Sequence, residues 1–194
     1  MTLFEYLSVA TSIVLSLSAA QLLTRLRSIL DHTTRYWIHA LWVALLIFAH
    51  MVVWWEFWGY RDVATWNFLG FAVLILNPGI LFVASSILVL SDRESEPKGW
   101  RDHYFNVHRS FFAAIGLLPL VSILRRWFLT DLPLLSANNL PEVGFGFLCL
   151  VGFVSSNKSV HATVVVVYWL SLLFATANYW FFPGDVALSN TSGG

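Results

Sequence analysis

Apolar residues run along this chain in six long blocks, each close to the ~20 residues that a helix needs to cross the hydrocarbon of a bilayer. They fall at about 3–24, 36–58, 66–90, 105–127, 139–155 and 160–182, separated by short polar stretches such as the mixed-charge "SDRESEPKGWRD". The pattern predicts an all-α fold: a polytopic membrane protein with six transmembrane helices in one bundle over residues 1–182. A short disordered tail is expected over 183–194. The first block is expected to be a retained span rather than a leader: Met1 to Tyr6 has no Lys or Arg and contains Glu5, and Arg25 and Arg27 follow the block.

Two places interrupt this apolar pattern. In "LILNPGILF" the triplet Asn77-Pro78-Gly79 sits near the middle of span 3. Pro78 has no N–H to give the carbonyl of Leu74, and its ring disfavours helix at the preceding residue. Asn followed by Pro is also a favoured helix start. The expectation is two half-helices, the second beginning at Asn77, whose free ends would hold a polar or charged group as broken helices do in transporters. The triplet resembles the Asn-Pro-Ala of aquaporins, but that family carries two copies on half-spanning helices and this chain has one. In span 4, "IGLLP" places Gly116 near the midpoint with Pro119 beyond it.

Composition agrees with a bilayer as solvent: 58% of residues are hydrophobic and only 11% charged, against roughly 25% charged in soluble domains. The formal net charge is zero, which gives no basis for nucleic-acid binding. Charge placement sets orientation, because cytoplasmic loops collect Lys and Arg. If all six blocks cross, one side carries Arg25, Arg27, Arg35, Arg93, Lys98, Arg101, Arg109 and Lys158, and the other only Arg61, Arg125 and Arg126. A hairpin turning back at Pro78 would erase that asymmetry, so span 3 is expected to cross. Both termini then lie outside the cytoplasm, in a bacterial-type inner membrane or a plasma membrane. Trp37 and Trp100 mark the cytoplasmic edge, and Trp54, Trp55, Trp58, Trp66, Trp127 and Trp180 the opposite one.

Candidate chemistry is sparse. His39 and His50, eleven residues apart, fall within about 20° of one helix face. With His108 and His161 they form a candidate set for a haem b or quinone site. His50 and Glu56 lie about 240° apart around span 2, so one site cannot use both from the same face. Glu5, Glu56, Asp62, Asp131 and Glu142, with the interspersed arginines, are expected to form a solvated rim. Ser8, Ser12 and Ser16, and Gly144 with Gly152, make small-residue faces suited to close helix packing or self-association. Asn139 and Glu142 have the spacing of a helix-capping pair. Cys149, the single cysteine, reads as a packing residue, and no metal-ligand spacing or catalytic triad is present.

Three functional readings follow. The first is a small transporter or channel-like protein using Asn77, Pro78, Gly79, His50, Gly116 and Pro119 as its pathway. The second is a non-catalytic accessory or assembly protein whose contacts are lipid and other helices. The third is a redox subunit holding haem or quinone through the histidines.

Overall fold

The computed structural model describes residues 3–61, 63, 66–89, 99–130 and 133–179, and among these it contains helices and turns but no strand. Seven α-helices follow in order: α1 (Leu3–Leu30), α2 (Trp37–Phe57), α3 (Phe68–Leu88), α4 (Trp100–Ile115), α5 (Leu117–Thr130), α6 (Leu140–Val154) and α7 (Lys158–Tyr179). Since α4 and α5 stack end to end, six helical segments are long and apolar enough to cross a membrane. Their bounds match the six blocks to within a turn or two. The expected tail at 183–194 lies outside the described residues, as does all of 90–98.

The centre of the bundle is α3, which packs against α1, α2, α4 and α5, while α7 sits at the periphery against α2 and α6. The α1 seam is Leu7, Thr11, Leu15, Ser18, Leu22 and Ile29, and its dominant step of three or four turns one face inward. That seam is offset from the expected serine stripe. Ser16 is exposed, Ser12 Oγ accepts from Trp54 Nε1 at 3.1 Å, and Ser18 is the serine that is buried. The other expected small face splits as well. A Cβ on Gly152 would come within 2.4 Å of the Phe112 ring, whereas one on Gly144 would meet nothing within 4 Å. Gly152 is thus consumed by the α4–α6 contact inside the chain.

The expected break at Asn77 is not where the helix breaks. The helix runs unbroken through Pro78 from Phe68 to Leu88, and its N-cap is Asn67, whose side chain accepts from Gly70 N–H at 2.7 Å. One missing backbone bond is tolerated because packing on four neighbours holds the segment. The discontinuity falls in span 4 instead. Gly116 ends α4, and Pro119 in the first turn of α5 denies a donor to the carbonyl of Ile115. A Cβ at Gly116 would stand 2.8 Å from the Phe112 carbonyl oxygen and 3.4 Å from Cys149 Cβ, so glycine also lets α6 approach here.

At the end where α1 stops, Thr33 N–H and Oγ1 donate to the Asp31 carboxylate at 2.9 and 2.8 Å, which holds its pKa below the ordinary value. Trp100 plugs this end rather than edging it: it is buried, its Nε1 donates to Ser28 O at 2.9 Å, and its ring stacks on His39 at 4.8 Å. At the other end Trp54, Trp58 and Trp127 are exposed.

Candidate functional site: an apolar cavity beneath two ion pairs

Between α2, α3, α5, α6 and α7 lies a cavity of about 190 Å³. Trp42 and Glu56 both line it, fourteen residues apart on α2, so it extends about 21 Å along that helix at ~1.5 Å per residue. Its walls are mainly aliphatic, with Leu45, Leu46, Ala49, Leu81, Ile115 and Leu118 among them. Trp42 closes the deep end. Its ring is fully buried and meets Phe111, Phe112 and Tyr168 edge-on at 5.1–5.3 Å.

Charge gathers at the opposite end. Arg125 of α5 donates to Glu56 of α2 at 3.1 Å, and the neighbouring Arg126 pairs with Glu142 of α6. The Arg125 and Glu56 side chains are only 6% and 11% exposed, which corrects the expectation of a solvated rim for these residues. Glu5 and Arg61 are exposed, and Asp62 and Asp131 lie outside the described residues. Arg125 also lies over the Tyr60 ring, 5.5 Å from its centre. Two consecutive arginines on one helix therefore tie α5 to its neighbours on either side. Glu142 is taken by Arg126, so it does not complete a capping pair with Asn139. The Asn139 amide instead turns back to donate to Leu134 O at 2.9 Å.

Of the residues expected to form a pathway, the cavity gathers Asn77 and Pro119. Asn77 is 4% exposed, and among the described residues its side-chain amide has no hydrogen-bond partner. Pro78 is buried in the helix and Gly79 faces open space. Gly116 marks the α4–α5 junction beside the cavity residue Ile115.

His50 points elsewhere. Its Nδ1 is 2.6 Å from Leu46 O and its Nε2 2.6 Å from Ser18 Oγ, which is in turn 3.1 Å from Ser85 Oγ. This chain of buried polar groups ties α1, α2 and α3 together and is fully satisfied. It also agrees with the angular separation expected between His50 and Glu56, since only Glu56 reaches the cavity.

The other histidines cluster at the end nearest Trp100. His39 and His103 both bond the Leu88 carbonyl at the end of α3, at 2.8 and 3.1 Å. His161 spans Tyr104 OH (2.8 Å) and Ser155 O (2.9 Å), and its ring meets that of His108 edge-on at 5.2 Å. His108 Nδ1 in turn lies 2.6 Å from Phe105 O. Every histidine named for a haem therefore spends at least one ring nitrogen on a protein partner, and each packs on aromatic or aliphatic side chains. No two of them face each other across the cavity. Among the described residues no group of three or more His, Cys, Asp or Glu side chains is placed to hold a metal ion.

Glu56, Arg125, Arg126 and Glu142, expected only as rim residues, join the candidate site together with Ser122. The available signal was two acidic and two basic residues at one end of the bundle. Comparison of the chain with known families, with curated proteins and with solved structures finds no match.

Proposed function

We propose that this chain is a six-span integral membrane protein whose working part is the cavity beside Asn77, a binding site for one small, mainly apolar molecule. The observation that carries this reading is the side-chain amide of a residue only 4% exposed, without a partner among the described residues, on the wall of a mainly aliphatic cavity. Membrane insertion is supported by six long apolar helices whose outer faces expose Leu, Val, Ile and Phe. A surface of that kind is stable against lipid chains and not against water. The basic ends face the cytoplasm in this reading, so the charged end of the cavity and both termini face out of it, in an inner or plasma membrane.

Transport is the second reading, and one feature favours it. The junction at Gly116 lies beside the cavity residues Ile115, Leu118 and Pro119, so a bend there would move α5 and its two arginines relative to the cavity.

Co-purification tests the binding reading. The protein is extracted from its membrane, and the small molecules it retains are compared with those of Ala49→Phe, which fills the cavity. Loss of one or a few compounds in the variant is the expected result. Identical complements would overturn the assignment.

A further inference from the structure

We infer that the ligand of this cavity is a neutral amphiphile: an apolar body bearing one uncharged polar group that hydrogen-bonds to the Asn77 amide. The inference rests on the reading of the cavity as a binding site and adds the chemistry of its occupant.

Asn77 supplies the first argument. A primary amide offers two donors and two acceptor lone pairs, and among the described residues none is met although the residue as a whole is 4% exposed. A buried polar group left unpaired costs free energy with no return, and a leucine would fit the aliphatic surroundings without that cost. The amide is thus placed for a partner that enters the cavity.

Water does not fill that role well. A buried water makes about three hydrogen bonds, and the cavity lining is mainly aliphatic, with Leu45, Leu46, Ala49, Leu81 and Ile115 among it. A molecule with one polar group and an apolar remainder satisfies both the amide and the walls. The volume of about 190 Å³ keeps that molecule small.

Charge supplies the second argument. Arg125, Arg126, Glu56 and Glu142 sum to zero and are paired with one another. A carboxylate or an ammonium entering this low-dielectric space would add an unbalanced charge, or would have to displace one side of a buried pair. An uncharged amide, alcohol or carbonyl does neither.

The test compares three molecules with one tail. Radiolabelled octanamide, octanoate and octylammonium are bound at pH 7 to the full chain in lipid nanodiscs, with empty nanodiscs subtracted. Octanamide is expected to bind saturably, the two ions without saturation, and Asn77→Leu to weaken octanamide about fivefold through the lost hydrogen bond. The ranking of head groups on the unaltered chain decides the matter even if a variant fails to fold. Tighter saturable binding of either ion, abolished by Ala49→Phe, would overturn the neutral head group and leave the cavity as a binding site. Octanamide binding that survives Ala49→Phe would overturn both. Saturable binding of none of the three would overturn the inference, and the co-purification result would then judge the cavity alone.

Discussion

Single side chains set how closely these helices approach, and Gly152 shows it most directly. The Phe112 ring occupies the space where a Cβ would be, with three ring atoms within 2.4–2.7 Å of that position. Gly152→Ala is expected to destabilise the protein by about 1–3 kcal/mol, the range for overpacking a filled contact. Gly144→Ala, on the same helix with open space around it, should leave stability unchanged or slightly raised. Unfolding of both variants by graded denaturing detergent checks the pair, and equal losses would mean that the approach of Phe112 does not set the cost at Gly152. The sequence marked both glycines as places of close approach. It did not say which one is used, because that depends on the rotation of α6 against α4. Ser16 and Ser18 make the same point: the expected stripe ran through Ser8, Ser12 and Ser16, and the buried serine, Ser18, lies outside it, fixed by the meeting of α1 with α3 and His50.

At the scale of elements, the helices were legible because six long apolar runs, each long enough to cross a bilayer, leave little freedom in where helices lie. The position of the break was less legible. Local rules weigh Asn77-Pro78-Gly79 more heavily than Gly116 and Pro119, yet α3 is held by four neighbours and stays helical through the proline. Span 4 has Gly116 four residues after Phe112 and next to Cys149, where close approach and the lost Ile115 partner coincide. Tertiary packing decided between two local signals of similar kind. The same scale governs the ion pairs, because α5 is bound to α2 and α6 through Arg125 and Arg126. Removing one member of a buried pair strands the other, so Glu56→Leu or Arg125→Met alone should each cost about 3–5 kcal/mol. Combining Glu56→Leu with Arg125→Met should cost clearly less than the sum of the separate changes. A double-mutant cycle on thermal unfolding reads this coupling. Simple additivity would show that the two side chains are held independently.

For the whole molecule, orientation decides which compartment the charged end of the cavity faces. The single cysteine makes this readily testable, because Cys149 is buried against Tyr168 at 2.8 Å and its removal frees the chain for reporter cysteines. Ala137 lies exposed between α5 and α6, at the end of the ion pairs, and Ser156 lies exposed between α6 and α7, at the end of the histidines. In a Cys149→Ala background, a membrane-impermeant maleimide applied to intact cells is expected to label Ala137→Cys and to spare Ser156→Cys until the membrane is opened. The expectation follows from the uneven distribution of Lys and Arg, eight of the eleven falling on the side of Ser156. The reverse pattern would turn the protein over, placing the ion pairs and the charged end of the cavity in the cytoplasm without altering a single contact described above. The cavity chemistry would survive that result, since it depends on Asn77 and the balanced charges. The source of the ligand would not: with the expected orientation the molecule enters from outside the cytoplasm or from the outer leaflet, whereas the inverted one would draw it from within the cell.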